Sequence, residues 1–466
     1  MTEYTKGLAD FITKLEYKDL TRERVEKAKM LTLHVAGVAM AGRTLPTAVS
    51  ARNTAHAVTG QTSDLMSTMW GEPGKVPMHG AIMANAVAAD TLDWEDCSYT
   101  GHPSAHLISV SMAMTEAMHK SGKDFLTAVI GGFEVYQRVA CYIQPTPEYD
   151  TRKYGWGLGS WQIFAGSPAA GKLLGCNEEQ FNLLFGATAC STPVVNAILA
   201  QQGSDFYHLQ YAITSLTGVM LAGMAKRNEL DNIYNVMDVE SGYPMMMRGF
   251  ANEGWIDRNV GTEYLFDQLL FKHWPANMWI QTPLDCLDQL KREHGFTADD
   301  IEEIFVSPTY LERVKFSWDG YSSCRDAQFS IPYCMAAYLL RGEPGPAWYD
   351  SSRLSEKELL DVASKVKSDP DKLQDLTVAF NMFQNGSFPS TTVRVTLKGG
   401  KQVETTLPFP KGHPQNPFTW EGVERTFRVG AKAVGLSAEK TSRYIELCKK
   451  IDQLDDMAQL AECLSL

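Results

Sequence analysis

The feature that most constrains the fold is a change of hydrophobic pattern near residue 265. Before it, apolar residues recur at spacings of three and four, as in helices that bury one face. The first such run comprises Val25, Ala28, Leu31, Val35 and Val38. After it, residues 304–307 and 392–405 alternate apolar and polar side chains, and Gly399-Gly400 supplies a hairpin turn. The pattern predicts a helical part followed by an α+β part.

Five further segments of the first part read as helices, and their Gly, Ala and Ser content indicates helices that approach one another closely. They are residues 79–92, 107–118, 125–143, 168–174 and 213–225. In the second part, residues 329–340 and 356–366 read as helices. A Pro-rich connector follows at 407–417, and residues 419–466 return to a helical pattern. A chain of 466 residues is too long for one compact core and suits two domains.

Composition argues against several classes of protein. The formal charge of −12, with no basic stripe, argues against binding to nucleic acid. The longest apolar-leaning stretch, residues 211–224, is interrupted by Thr, Ser and Gly and is too short to span a membrane. The nine cysteines form no CxxC pair, which favours reduced thiols, and the N-terminal residues lack the pattern of a secretory signal. We therefore expect a cytoplasmic protein.

Acidic residues and histidines gather in a turn-rich segment between two helical runs. Four carboxylates within residues 90–96 precede His102-Pro-Ser104-Ala-His106. Imidazole titrates near neutrality, and a nearby carboxylate can fix its tautomer, which is what general acid–base catalysis needs. A solvated acidic loop with a capping histidine would contain the same residues. The pattern alone leaves both interpretations open.

Two glycine-containing segments have features of phosphate-binding or anion-binding sites. Residues 166–172 (GSPAAGK) match seven positions of a phosphate-binding loop, but Leu173 replaces the required Ser or Thr, and no strand precedes them. We interpret them as the small-residue face of a packed helix. Residues 155–159 (GWGLG) run into the same helix and form either an anion-binding turn or an ordinary flexible turn.

Other catalytic motifs are missing from the sequence, and one lysine is informative. The close pair His102 and His106 has no clustered third ligand and no HExxH pattern, so we predict no metal site. No GxSxG elbow supports a serine hydrolase. Lys272 lies among bulky apolar residues, and it either extends to water or pairs with an anion.

An ordered set of motifs along nearly the whole chain resembles the MmgE/PrpD family, which includes 2-methylcitrate dehydratase, cis-aconitate decarboxylase and iminodisuccinate epimerase. The motifs are Asp93 with His102-Pro-Ser104 nine residues later, GKLLG at 171–175, KHWP at 272–275, AQFSIPY at 327–333 and KGHPQNP at 411–417. The resemblance implies a mainly α fold. A large all-helical domain would be formed by both chain ends, residues 1–265 and 406–466, with a smaller α+β domain inserted at residues 266–405. It also implies a homodimer.

The resemblance implies roles for the residues that match the family. His102 is the expected general base or acid, Asp93 is its partner, and Lys272 is the cation that holds a carboxylate or an enolate oxygen. Ser104 completes the His-Pro-Ser motif and is expected to contact substrate. We predict a lyase, either a dehydratase or a decarboxylase, that acts on a small carboxylic acid without a metal or organic cofactor. An epimerase or isomerase of a small dicarboxylate and a non-catalytic binding protein remain alternatives.

Three positions depart from the family pattern. Trp156 and Gln281 stand where histidines are common, and Tyr207-His208 stands where the family has lysine and arginine. An indole and a phenol replace groups that carry protons or positive charge, so the pocket should be less cationic. We expect Trp156, His208 and Gln281 to contact substrate, with Trp156 stacking on an apolar portion. Tyr207 is either a second proton donor or a structural tyrosine.

Overall fold

The computed structural model of the chain describes residues 3–60, 62–98, 101–143, 156, 158–193, 204–239, 242–248, 253–309, 313–369, 372, 378–379, 382–383 and 385–466. Helices dominate, which confirms the mainly α prediction. The helices of the first part are α1 (Tyr4–Lys14), α2 (Arg22–Gly42), α3 (Pro46–Val58), α4 (Met78–Asp90), α5 (Ser104–Ala117), α6 (Gly122–Ile143), α7 (Leu158–Leu174), α8 (Glu178–Cys190), α9 (Phe206–Lys226), α10 (Tyr243–Arg248) and α11 (Glu253–Ile256).

The later part of the chain mixes helices with strands. Its helices are α12 (Gln281–His294), α13 (Cys324–Gln328), α14 (Ile331–Arg341), α15 (Lys357–Ala363), α16 (Trp420–Val434), α17 (Ala438–Cys448) and α18 (Ala458–Ala461). The strands of the whole chain are β1 (Met66–Thr68), β2 (Lys75–Pro77), β3 (Asp96–Cys97), β4 (Leu270–Phe271), β5 (Ile301–Ser307), β6 (Val366–Ser368), β7 (Thr391–Leu397) and β8 (Gln402–Leu407).

Local signals explain some boundaries and mislead at others. Thr21 caps α2 by accepting a hydrogen bond from the Arg24 amide. α7 contains the segment GSPAAGK, which confirms that it is a packed helix. The same helix begins ten residues before the predicted start at Pro168, because proline resembles the first residue of a helix. The predicted helix 356–366 was too long, since Val366 already pairs in strand β6 with Ile304.

The described residues bury two large apolar cores. One core joins α1–α11 with the C-terminal helices α16–α18. α2 and α16 cross so closely that a Cβ atom on Gly430 would lie 1.9 Å from the carbonyl oxygen of Gly37. The other core is formed mainly by α12–α15 and strands β5–β8, and Leu92 and Trp94 of the first part pack into it. Residues 90–98 therefore lie where the two cores meet.

A four-stranded sheet in the order β6-β5-β7-β8 lies in the second core. β5 pairs with β6 in parallel and with β7 antiparallel, while β7 and β8 form the predicted hairpin around Gly399-Gly400. Val393 and Val395 are fully buried, as period-two alternation requires. A separate two-residue ladder pairs β3 with β4 and joins the acidic segment to the residues just before Lys272.

The structure bears on two predictions from the sequence, which concern membrane-spanning helices and the state of the cysteines. In the described part of the chain, no helix is long and apolar enough to cross a membrane. All nine cysteines fall within described residues, and each has a free thiol.

Candidate active site

The candidate site forms where α4 ends and the chain turns toward β3. The Asp93 amide donates to the carbonyl of Asp90 at 2.7 Å, and Asp93 adopts a left-handed conformation with φ of 50°. Aspartate tolerates this region better than most residues do. The β3–β4 ladder and a 3.2 Å hydrogen bond from the Lys272 amide to the Glu95 carbonyl then bring Lys272 beside the acidic segment.

Lys272 and Asp93 form an ion pair that is completely buried. The Lys272 Nζ atom also lies 3.7 Å from Oε1 of Glu95. Burial alone would lower the pKa of Lys272, but the neighbouring Asp93 and Glu95 carboxylates outweigh it and raise that pKa above its ordinary value. Lys272 therefore stays charged, and of the two interpretations of this lysine the structure shows pairing with an anion.

His102 has one defined tautomer. Its Nδ1 atom lies 2.9 Å from the carbonyl oxygen of Asp96, and a carbonyl only accepts, so Nδ1 carries the proton. The free lone pair is then on Nε2, which lies 3.7 Å from Oδ1 of Asp93. Burial, helped by the charge of Lys272, lowers the pKa of His102. A neutral imidazole with a free Nε2 is equipped to act as a general base.

The chain reaches His102 through Gly101, whose φ is +147°. A Cβ atom there would lie 2.7 Å from the hydroxyl of Tyr136, so only glycine fits without displacement. Ser104 begins α5, and both its amide and its hydroxyl donate to Oδ1 of Asp96. The hydroxyl that was predicted to contact substrate thus holds the start of the helix that follows His102.

Glu95 lies between Lys272 and His102. Its Oε1 atom is 3.2 Å from Nδ1 of His102, and its carboxyl is completely buried. Burial is the main cause that raises the pKa of Glu95 well above its ordinary value, with the charges of nearby aspartates adding to the effect. Burial likewise raises the pKa of Asp96, to about 7. All four carboxylates of residues 90–96 are buried, so this segment is not a solvated acidic loop.

Asp90, the first carboxylate of the acidic segment, pairs with His208. A short hydrogen bond joins Oδ2 of Asp90 to Nδ1 of His208, and both side chains are fully buried. The His208 interaction outweighs burial and lowers the pKa of Asp90. When every carboxyl is ionised, Oδ1 of Asp90 and both oxygens of Glu95 have no hydrogen-bond partner. A proton on Glu95 changes this, because its hydroxyl can then donate to Asp90.

Lys272 places a positive charge directly beside the acidic residues of the site. Asp93, Glu95 and His102 bring three possible metal-ligand atoms within 4.8 Å of one another. A divalent cation held by them would lie against the Lys272 ammonium, and the like charges would repel. We therefore treat none of the three residues as a metal ligand.

Two models of one protein family match the chain. Residues 6–250 match the MmgE/PrpD N-terminal domain, and residues 274–451 match the MmgE/PrpD C-terminal domain. The chain belongs to the MmgE/PrpD family. Membership supports activity of the dehydratase or lyase type in general. Among curated proteins, no match to the chain is found.

The positions that depart from the MmgE/PrpD pattern have distinct surroundings. Trp156 is half-buried and packs against the helical core. Gly155 and Gly157 of the glycine-rich turn lie outside the described residues. The Gln281 amide accepts from the amides of His273 and Trp274 and donates to the carbonyls of Trp274 and Ala276. All four bonds hold the loop that follows Lys272.

Tyr207 is buried beside His208, with ring centroids 5.2 Å apart. Burial is the largest cause that raises the pKa of Tyr207 well above its ordinary value, so the phenol stays protonated. Arg325 stacks on it, with Cζ 4.9 Å from the ring centroid, and lies 3.7 Å from the ring of Phe329. Sequence reasoning missed Arg325, although it comes two residues before the AQFSIPY motif.

Arg325 carries a charge that the described residues do not neutralise. Its side chain is buried, its Nε atom has no hydrogen-bond partner, and no described carboxylate forms an ion pair with it. Burial lowers the pKa of Arg325, while Tyr207, Asp93 and Asp90 act against that change. A guanidinium remains charged despite such a shift. Buried, charged and next to Tyr207, Arg325 has the properties of a group that receives an anion.

Proposed function

We propose that this protein is a cofactor-independent lyase of a small carboxylic acid, which either removes a proton from a carbon next to a carboxylate and expels water, or expels carbon dioxide and returns a proton to the carbon that it leaves. The observation that carries the proposal is the tautomer of His102, whose free Nε2 lies beside the buried Lys272–Asp93 pair. Removing such a proton needs a neutral base and a nearby cation for the charge that develops on the carboxylate.

The charges of the site support this chemistry. Lys272 is the cation nearest to His102, and Asp93 holds its ammonium in place. We assign Lys272 to the developing enolate oxygen, where a buried positive charge acts most strongly. Arg325 would hold a second carboxylate of the substrate. It would replace the lysine and arginine that the family has at the positions of Tyr207 and His208. Two cations favour a di- or tricarboxylic acid over a monocarboxylic acid.

The remaining predicted residues receive narrower roles in this proposal. Tyr207 stays protonated and can donate a hydrogen bond to substrate. His208 is paired with Asp90, so we assign it to proton transfer in preference to simple binding of an anion. Ser104 and Gln281 position the two loops that carry His102 and Lys272. Trp156 remains the proposed contact for an apolar part of the substrate.

Turnover in D₂O tests the proposal. Purified protein would be incubated with malate, citrate, 2-methylcitrate and cis-aconitate, and the products followed by proton NMR and mass spectrometry. We expect loss of water or carbon dioxide from at least one acid and no effect of EDTA. If no acid exchanges a proton or is converted, the lyase proposal is wrong.

An epimerase is the second candidate, and the Asp90–His208 pair favours it. Asp90 binds Nδ1 of His208, and the opposite Nε2 atom is buried without a hydrogen-bond partner. A second imidazole with a free nitrogen is what inversion at one carbon by two opposed groups requires. In the same experiment, an epimerase would introduce deuterium and invert the centre, while the carbon skeleton and all oxygen atoms are retained.

We also propose a cytoplasmic homodimer. Support for the compartment comes from the nine free thiols, which suit a reducing environment. Support for the dimer comes from an exposed apolar face of α9, which is described in the Discussion.

A further inference from the structure

An elimination needs a proton donor as well as a base, and this inference rests on the proposed lyase function. The leaving hydroxyl group departs as water only if an acid protonates it. Lys272 is committed to Asp93, and Asp96 is held by Ser104. Tyr207 is a weak acid in this site, because burial, together with the charges of nearby aspartates, raises the pKa of the phenol. Among the groups that border His102, this leaves Glu95.

The surroundings of Glu95 require that it hold a proton. Its side chain is completely buried, and its charged neighbours include three aspartates. If it were ionised, neither carboxyl oxygen would have a hydrogen-bond partner, although Lys272 lies 3.7 Å away. A buried carboxylate without such partners is strongly disfavoured. Once protonated, Glu95 gains a partner by donating to Asp90.

We propose that Glu95 is the catalytic acid, which holds a proton in the resting site and delivers it to the leaving oxygen of the substrate. Its position next to both His102 and Lys272 places that proton beside the base and the cation of the same reaction. In the resting state the Glu95 hydroxyl donates a hydrogen bond to Asp90. When substrate binds, the leaving oxygen replaces Asp90 as the acceptor of that proton.

Each elimination then transfers one proton from carbon to oxygen. Nε2 of His102 takes the C–H proton, whose electron pair forms the carbon–carbon double bond. The C–O bond breaks with its electron pair on oxygen, and the Glu95 hydroxyl protonates this oxygen to give water. His102 has become a cation and Glu95 an anion. The two groups lie 3.2 Å apart, so each stabilises the charge on the other until a proton returns to Glu95 as the products leave.

The substitution Glu95→Gln separates this step from proton abstraction. Glutamine keeps the shape and a hydrogen-bond donor for Asp90 but cannot transfer a proton to a leaving group. We expect dehydration of malate, citrate or 2-methylcitrate to fall by about 10²- to 10⁴-fold. Exchange of the substrate C–H proton with D₂O, which we assign to His102, should change by no more than about threefold, because the substitution leaves that base in place. Glu116→Gln, which removes a buried carboxyl outside the site, is the matched control and should affect neither rate.

Three other outcomes have separate meanings. Equal loss of exchange and elimination in Glu95→Gln would show that Glu95 only positions His102, and a nearly normal elimination rate would show that another group is the acid. Both results overturn this inference and leave the lyase proposal intact. Absence of exchange and elimination in the unaltered protein would instead overturn the proposed function.

A second variant covers the case in which Glu95→Gln does not fold. Glu95→Asp retains an acid and should keep at least ten times more elimination activity than Glu95→Ala, which has none. Infrared spectra of the unaltered protein at neutral pH should contain a protonated carboxyl band that shifts in Glu95→Asp. A band that is the same in both proteins would contradict the inference.

Discussion

At the scale of single residues, the site pairs two groups whose usual charges are suppressed. Burial lowers the pKa of His102 and raises that of Glu95, so both pKa values move in the direction that favours the neutral form. Around them, Lys272 and Asp93 keep opposite charges in a direct ion pair. A neutral base next to a neutral acid can start a proton transfer without first losing or gaining a proton from water.

The pH dependence of kcat/KM should reflect this pair. The base must be unprotonated for the reaction. Because the pKa of His102 is lowered, the fall of kcat/KM on the acidic side should occur below the ordinary imidazole pKa of about 6.5. The acid must be protonated, and the raised pKa of Glu95 moves the basic limb well above the ordinary carboxyl value. Because His102 and Glu95 interact, the two apparent pKa values of the profile describe the pair and not either residue alone. A flat profile at high pH in the unaltered protein would contradict the role of Glu95.

His102→Gln should lower kcat by about 10²- to 10⁴-fold, since glutamine cannot accept the substrate proton. The amide can still donate to the Asp96 carbonyl, so the thermal unfolding midpoint should change little. Steady-state kinetics and circular dichroism would measure the two effects. A kcat within a factor of three of the original would mean that His102 is not the base.

Arg325→Met should raise KM for a di- or tricarboxylate by about 10- to 100-fold, the effect of losing one charge-assisted hydrogen bond. Methionine retains contact with Phe329, and kcat should change far less than KM. Arg313→Met is the matched control, because Arg313 also stacks on Phe329 but its Nε already donates to Asn277. Equal effects of the two substitutions on KM would argue against a substrate contact by Arg325.

Sequence reasoning identified three residues that the structure brings together, Asp93, His102 and Lys272, because they belong to motifs with a definite order. It assigned no role to Glu95, because the sequence shows that a residue is acidic but does not show that it is buried in a site that favours its neutral form. Arg325 was missed for a related reason. Its position beside Tyr207 depends on packing between α9 and α13, and the two residues are more than a hundred positions apart in the sequence.

At the scale of elements, α9 has two apolar faces, of which one is buried and the other is partly exposed. One face packs inside the helical core and carries Tyr207 and His208. The other face is an apolar stripe at spacings of three and four, in which Phe206, Ile213 and Met220 are exposed and Leu209, Leu216 and Met224 are partly buried. Phe206, Ile213 and Met220 are each about half exposed, at 51%, 50% and 55%. No acidic or basic residue interrupts the stripe, so a second copy can pack against it without repulsion between like charges.

We expect the double substitution Ile213→Glu and Met220→Glu to convert a homodimer into monomers, because four buried charges would face one another across the symmetric interface. Sedimentation velocity would measure the change. Met246→Glu alters a methionine on α10 that is also exposed and should leave the dimer intact. A dimer that survives the double substitution would place the interface elsewhere, and a monomeric unaltered protein would refute the dimer itself.

The sequence predicted whole elements better than their ends. The β7–β8 hairpin was predicted correctly because alternation and a Gly-Gly turn are local signals. The start of α7 was not, since Pro168 lies inside the helix and no local signal marks Leu158 as its beginning. The end of α15 was missed because β6 is specified by its pairing with β5, which is distant in sequence.

At the scale of the whole molecule, the contact between α2 and α16 joins the first and last parts of the chain. Gly430→Ala should lower stability by about 1–3 kcal/mol, because the added methyl group would overlap the Gly37 carbonyl oxygen. A fall of several degrees in the thermal midpoint would measure it. Gly7→Ala in α1 is the control, since a Cβ atom there meets nothing within 4 Å and alanine favours a helix by up to about 1 kcal/mol. Equal midpoints in both variants would mean that the crossing tolerates a wider separation.

The same crossing has a consequence for synthesis on the ribosome. α2 leaves the exit tunnel early, whereas the helix that covers its glycine face contains Phe427 and Gly430. At roughly 5–20 residues per second, the uncovered face waits on the order of 20 to 80 seconds for its partner. During that interval the nascent helical domain exposes apolar surface that a chaperone can bind. We therefore expect the yield of folded protein to depend on chaperone supply and on translation speed through the inserted α+β region.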